Sequence, residues 1–189
     1  IHRILSAAPG VYYREEDGYG LRPNIGMRGV SSDRSKKVVI MEDGVLIAPA
    51  PYAAPAGYYF PLTTRLGAVE IYKGPTMLPY GPNTLGGAIN LVTAAMPYGP
   101  VAEFDLELGQ DTFGRLHARV GDGGDNWSYF VDMAHLETDG FKVVDGGGKS
   151  GYLRNDLLFK ARWDSDPAGS TLHRVDIKVG YGDETSNET

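Results

Sequence analysis

Five segments after residue 100 alternate apolar and charged residues with a period of two. In the first of them, Phe104 and Leu106 alternate with Glu103, Asp105 and Glu107. Such alternation predicts β-strands with one apolar and one charged face, because successive side chains of a strand point to opposite sides of the sheet. The five strands, each of roughly 8 to 13 residues, are expected around residues 102–108, 115–120, 127–133, 154–163 and 174–181. Their shorter and longer connections alternate, which predicts an antiparallel meander.

Two architectures can use strands of this kind. In a soluble sandwich the apolar face forms the core, whereas in an outer-membrane barrel it faces lipid and the charged face lines the lumen. The charged face carries both signs, and Trp127, Tyr129 and Trp163 lie near strand ends, where a membrane barrel has its aromatic girdle. The period-two pattern alone leaves both architectures open.

Composition and motifs exclude several other classes of protein. The 189 residues carry a net charge of −6, which argues against nucleic-acid binding as the main task. The chain has no cysteine and therefore neither a disulfide nor a thiolate metal site. Neither Gly81 nor Gly87 is followed by the lysine that a phosphate-binding loop needs. None of the four histidines has the spacing of a metal site: His2, His117, His135 and His173. We therefore expect no enzymatic activity and no cofactor.

The first half of the chain contains short elements of mixed type. Apolar residues at helical spacing between Ile1 and Ala8 predict a helix that Pro9-Gly10 ends. Val38–Glu42 and Val45–Ile47 flank Asp43-Gly44, which is a strong signal for a β-hairpin. A helical turn is expected at 62–66, and further strands at 69–72 and 88–92. These elements predict a small α+β domain with long irregular loops.

A glycine- and proline-rich run, YKGPTMLPYGPNTLGGAINLVT, extends from Tyr72 to Thr93. Glycines at 74, 81, 86 and 87 would allow a positive φ or a close approach of the backbone to its neighbours, and the prolines would stiffen the remainder. The alternative is an ordinary surface loop of a soluble domain.

Four motifs of the first half resemble the plug domain of TonB-dependent outer-membrane receptors. The resemblance covers about residues 1–97, with the motifs in the family's order. They are ILSAAPGV (Ile4–Val11), LRPNIGMRGV (Leu21–Val30), VVIMEDGVLI (Val38–Ile47) and LGAVEIYKGPTMLPYGPNTLGGAINLVT (Leu66–Thr93). Residues 98–189 then look like the first five strands of that family's 22-stranded barrel. The alternative from another class is a soluble β-rich binding or structural module.

The resemblance implies a function for the parent protein. A plug that gates a barrel in the bacterial outer membrane would admit a ferric chelate or another scarce nutrient, with TonB in the inner membrane as its partner and membrane lipid around the barrel. The run RSKK (Arg34–Lys37) and the tyrosine- and proline-rich loop look most like the ferric citrate branch, among the siderophore receptors of Gram-negative bacteria. The segment that contacts TonB would precede Ile1, and the remaining strands would follow Thr189.

The run SSDRSKK, residues 31–37, is the candidate ligand site at the apex of the plug. A guanidinium group fits the carboxylates of an anionic iron chelate, so Arg34 is the principal candidate, together with Lys36 and Lys37. The alternative is a solvated charged turn. Three tyrosines could line the same mouth or pack against the barrel wall: Tyr52, Tyr58 and Tyr59.

Arg28 and Glu70 are the candidates for ion pairs between plug and barrel. In the family these positions lie in the sheet region of the plug, where buried pairs would act as a registry and release device. The alternative is a structural ion pair within the plug itself.

Overall fold

The computed structural model describes residues 1–15, 18–47, 59–81, 84–142, 147–165 and 173–187. They form two compact units, Ile1–Ala94 and Ala95–Thr189. The assignment of 1–97 to a plug and of 98–189 to a barrel stays a prediction, although its boundary lies close to this division. No helix in the ranges described is long and apolar enough to cross a membrane.

Among its described residues, the first unit contains one short α-helix and six strands in two sheets. Strands β1 and β2 pair antiparallel, and a four-stranded sheet has the order β4-β3-β6-β5, in which β3 and β6 are parallel. Leu5, Ile25, Ile40, Ile89 and Leu91 are among the residues of the shared core. The bounds are α1 His2–Ser6, β1 Val11–Glu15, β2 Pro23–Met27, β3 Val38–Glu42, β4 Val45–Leu46, β5 Leu66–Tyr72 and β6 Gly87–Thr93.

Local signals located most of these elements. The predicted hairpin is confirmed as β3 and β4, with Asp43 and Gly44 at φ of 50° and 82°, the left-handed values that a tight hairpin turn requires. The expected helical turn is a 3₁₀ turn at Thr63–Arg65. Strands β1 and β2 were not predicted, because proline, asparagine and glycine in β2 give it little strand propensity. All five residues of β2 are nevertheless buried.

The four glycines of the glycine-rich run show the positive φ or the close approach that was predicted for them. Gly74 and Gly81 have φ of 74° and 99° and bound a 3₁₀ helix, Gly74–Tyr80. A Cβ atom on Gly86 would lie 2.6 Å from Val30 Cγ2 and 3.0 Å from the carbonyl oxygen of Lys37. A Cβ atom on Gly87 would lie 2.8 Å from the carbonyl oxygen of Tyr72. The alternative of an ordinary surface loop is therefore wrong for Gly86 and Gly87, which pack against backbone.

Gly86→Ala is expected to destabilise the first unit by about 1–3 kcal/mol, because the added methyl group overpacks a filled space. Denaturant-dependent hydrogen exchange of the β6 amides in the full-length protein measures the loss. Adding Val30→Ala should recover part of it, since the nearest atom to the new methyl group belongs to Val30. A Gly86→Ala variant as stable as the parent would contradict the close approach.

The second unit is the predicted five-stranded meander, with the order β11-β10-β9-β8-β7 and antiparallel pairing throughout. The strands are 8 to 13 residues long, as predicted, and each continues past the alternating residues that located it. The bounds are β7 Val101–Leu108, β8 Gly114–Gly123, β9 Trp127–Thr138, β10 Tyr152–Asp164 and β11 Arg174–Ser186.

In a soluble sandwich the apolar face of a sheet is buried and the charged face is exposed. In the central strands of this sheet the apolar face is exposed and the other face is buried. Large apolar side chains of the central strands are exposed, for example Met133 (45%) and Leu157 (40%), which are cross-strand partners. Charged side chains on the other face include Asp132 (1% exposed) and Arg154 (2%). An apolar face directed outward is what a membrane barrel requires. The barrel alternative is the one that the fold supports.

Cross-strand ion pairs follow the charged face between β7 and β8. Arg119 lies 3.0 Å from Glu103, and Arg115 lies 2.8 Å from Glu107. His117, between them, contacts Asp105 at 3.3 Å. Each pair joins residues that are directly opposite in the ladder, where charges of opposite sign are favourable.

The exposed apolar residues of the second unit form a band across the five strands. This band is slanted relative to the rows of directly opposite residues. One hydrogen-bonded row is apolar on β7 and β8 and polar on the other three strands: Leu106, Leu116, His135, Asn155 and Asp183. A row nearer the other end is polar on β8 and otherwise largely apolar: Asp122, Tyr129, Ala161 and Ile177. A band slanted against the ladder is expected when the strands of a barrel tilt relative to the membrane normal.

Candidate ligand-binding site

The basic loop, residues 31–37, has a strained backbone conformation. It contains a 3₁₀ turn at Asp33–Ser35, in which Arg34 has φ 46° and ψ 28° and Ser35 has φ 52°. A left-handed conformation costs a residue other than glycine about 1–2 kcal/mol. Such strain persists only where surrounding contacts hold the backbone, and it is common at functional sites.

Two buried side chains hold this turn against β2. Asn24 Oδ1 accepts a hydrogen bond from the backbone N–H of Arg34 at 2.7 Å. Ser35 Oγ accepts one from the backbone N–H of Ile25 at 2.9 Å and donates one to the carbonyl oxygen of Pro23 at 3.5 Å. On the other side, the Gly86 N–H donates to the carbonyl oxygen of Lys37 at 2.8 Å. The basic loop is therefore anchored at its middle and at its C-terminal end.

The cations of the basic loop are exposed but differ in their surroundings. Lys36 Nζ lies 2.5 Å from Asp33 Oδ2, and the side chains of Arg34 and Lys37 are also exposed. The hydrogen bond from Lys36 holds the pKa of Asp33 below its ordinary value, and the charges of Arg34 and Arg14 lower it further. Arg14 on β1 is directly opposite Asn24 and adds a fourth cation to this group.

Tyr59 is not part of the basic loop's surroundings. Its hydroxyl accepts a hydrogen bond from Arg65 Nη2 at 2.5 Å, and the same nitrogen lies 2.5 Å from Glu42 Oε2. Glu42 is the last residue of β3, whereas the basic loop ends just before the first residue of β3. About 16 Å of strand therefore separates Glu42 from the basic loop. The structure thus does not bring Tyr59 together with Arg34. Tyr52 and Tyr58 lie outside the described residues.

Arg28 and Glu70 do not pair with each other. Arg28 has φ 55°, an exposed side chain and a backbone N–H that donates to the Gly10 carbonyl oxygen at 2.9 Å. Glu70 accepts hydrogen bonds from Asn90 Nδ2 at 2.8 Å and from the Tyr72 hydroxyl at 2.7 Å, and these bonds, that from Asn90 first, lower its pKa. Over the described residues, the alternative of an ion pair between them within the plug finds no support. Their pairing with the barrel stays a prediction.

The sequence did not predict several of these contacts, either at the basic loop or at the Arg65–Glu42 pair. Asn24, Ser35 and Arg14 meet only when β1 and β2 pair and the basic loop folds onto them. Arg65 and Glu42 are 23 residues apart, and neither lies in a pattern that marks a buried pair. Within the described ranges, no group of three or more potential metal ligands occurs.

Comparisons with known proteins agree with this architecture. A model of the TonB-dependent receptor plug domain matches residues 1–88. The vitamin B12 transporter BtuB of Vibrio vulnificus (strain YJ016) is 27% identical over 190 residues, covering 97% of this chain and 30% of the relative. BtuB of Vibrio cholerae (strain M66-2) is 32% identical over 161 residues, covering 82% of the chain and 26% of the relative.

Solved structures show the same fold. The unliganded ferric citrate transporter FecA superposes with a TM-score of 0.77 at 20% identity, covering 97% of this chain and 28% of that one. The copper transporter OprC superposes with a TM-score of 0.70 at 19% identity, covering 96% and 28%. At these identities the likeness concerns the fold and carries no information on the cargo.

A plug-type α+β unit followed by antiparallel strands with an outward apolar face defines a plugged outer-membrane barrel receptor. The chain belongs to the TonB-dependent receptors, which are outer-membrane proteins of Gram-negative bacteria and not enzymes. It spans about a quarter to a third of the length of the relatives it matches. The alternative of a soluble β-rich module is therefore wrong.

Proposed function

We propose that the full-length protein is an active transporter in which the plug gates the barrel and TonB supplies the energy. Membership in the TonB-dependent receptors supports this proposal. Arg28 and Glu70 would pair with charged groups of the barrel interior and part when the plug moves. The cargo would be a nutrient chelate that binds before the plug is displaced.

The proposed cargo is an anionic ferric chelate of the carboxylate type, such as ferric citrate. The observation that carries this choice is the exposed side chain of Arg34 on an anchored loop, which also carries Lys36 and Lys37, in a chain of net charge −6. A guanidinium group binds a carboxylate through two parallel hydrogen bonds, which an ammonium group cannot do. Tyr52 and Tyr58 stay candidates for further contacts.

A second candidate cargo is vitamin B12. The curated relatives at 27–32% identity are vitamin B12 transporters, which favours a corrinoid. The periphery of a corrinoid carries mainly amides, so its binding would depend little on a basic loop. Calorimetric titration of the full-length receptor with ferric citrate and with cyanocobalamin separates the two candidates.

Arg34→Ala is expected to weaken binding of ferric citrate about 10- to 150-fold. A hydrogen bond to a charged group contributes about 1.5–3 kcal/mol, and that range corresponds to this loss. Lys36→Ala should cost less, because Asp33 already holds this ammonium group. Affinity is measured by calorimetry on the full-length receptor in detergent.

Asp33→Asn is the matched control, and it should change the affinity in the direction opposite to Arg34→Ala. It removes a negative charge from the group of cations and frees Lys36, so affinity for ferric citrate should rise a few-fold. If Arg34→Ala and Asp33→Asn both leave the affinity unchanged, the ligand does not bind at the basic loop.

A further inference from the structure

We infer that Asn24 is the positioning residue of the ligand site: it holds the basic loop in the conformation that presents Arg34. This inference rests on the proposed function, since it assigns Arg34 a ligand to bind. Asn24 is 1% exposed and cannot contact a chelate in solvent directly. Its effect on binding must therefore pass through the residues that it touches.

The hydrogen bond from Arg34 N–H to Asn24 Oδ1 determines the direction of the arginine side chain. Arg34 is in the left-handed region, and its backbone torsions decide where Cβ leaves the chain. A relaxed right-handed backbone at this residue would turn the N–H away from Asn24 and redirect the guanidinium group. The 2.7 Å bond from a buried acceptor opposes that relaxation.

Asn24 is also connected to two of the residues that carry the cations. It is the cross-strand partner of Arg14 on β1 and the hydrogen-bond partner of Arg34 in the basic loop. A neutral amide oxygen satisfies the Arg34 N–H without adding charge. An aspartate at this position would supply the same acceptor but would add a negative charge 2.7 Å from the Arg34 amide nitrogen, close to the cations of the basic loop. The site therefore needs both the acceptor and the neutrality of asparagine.

Three variants of the full-length receptor separate these requirements. Asn24→Leu removes the acceptor and should speed hydrogen exchange of the Arg34 amide about tenfold and weaken ferric citrate binding about tenfold. Asn24→Asp should leave the exchange rate near that of the parent and still weaken binding. In an Arg34→Ala background, Asn24→Leu should cause little further loss of affinity, because the two residues act as one unit.

Asn90→Leu is the matched control at the opposite end of β3 and β6. Asn90 Oδ1 likewise accepts a backbone hydrogen bond, from Gly44 at 2.8 Å. Its loss should change neither the exchange of the Arg34 amide nor the affinity. The inference is overturned if Asn24→Leu leaves exchange unchanged, or if its affinity loss simply adds to that of Arg34→Ala. If Arg34→Ala itself has no effect on affinity, the proposed ligand site at the basic loop fails while the transporter proposal is untouched, and the exchange rates still decide whether Asn24 orders the loop.

Discussion

Replacing Arg65 with methionine is expected to destabilise the first unit by about 3–5 kcal/mol. Arg65 and Glu42 form a buried ion pair at 2.5 Å, with 2% and 5% of their surfaces exposed. Removing the guanidinium takes away the cation that lies 2.5 Å from a buried carboxylate, and the Tyr59 hydroxyl also loses a donor. Denaturant-dependent hydrogen exchange of the β3 and β6 amides in the full-length receptor measures the change.

Two further variants test whether burial causes the loss. Lys36→Met removes one partner of an ion pair of the same length, 2.5 Å, whose side chains are about half exposed, and should cost less than about 1 kcal/mol. The double variant Glu42→Met/Arg65→Met should recover most of the stability, because an apolar pair of similar volume often replaces a buried ion pair without loss. A loss below about 1 kcal/mol for Arg65→Met would show that water reaches the pair.

Leu106→Arg is expected to impair assembly of the full-length receptor in the outer membrane. Leu106 lies in the exposed apolar face of β7, between Phe104 and Leu108. An arginine on the lipid face near the middle of the bilayer costs about 2–4 kcal/mol. The fraction of folded receptor in outer-membrane preparations, measured by its heat-modifiable mobility on gels, reports the effect.

Glu107→Arg introduces the same side chain one residue further on, at a position that faces the other side of the sheet. It removes the ion pair with Arg115, which is partly exposed and contributes about 0–1 kcal/mol. This variant should assemble far better than Leu106→Arg. Equal assembly of the two variants would be incompatible with an outward apolar face on β7.

The sequence predicted the cationic residues of the basic loop but not the contacts that they make. The sequence places Arg34, Lys36 and Lys37 in one short run, and the structure keeps them together. The sequence does not indicate that Asp33 forms an ion pair with Lys36, or that Arg14 lies close enough to the Asp33 carboxylate to lower its pKa. The grouping of Tyr59 with these cations failed because loop composition gives no information about which end of a sheet a residue reaches.

The strands of the second unit, the two faces of their sheet and the hairpin at Asp43-Gly44 follow from the sequence alone. These features depend on local rules: the two-residue period of a strand and the torsions that a tight turn demands. Which face is buried, the pairing of β1 with β2, and the contacts of Asn24 with Arg34 and of Arg65 with Glu42 were decided by the tertiary structure. The last two contacts join residues 10 and 23 positions apart, and such contacts form because buried polar groups must find partners wherever the fold brings them together.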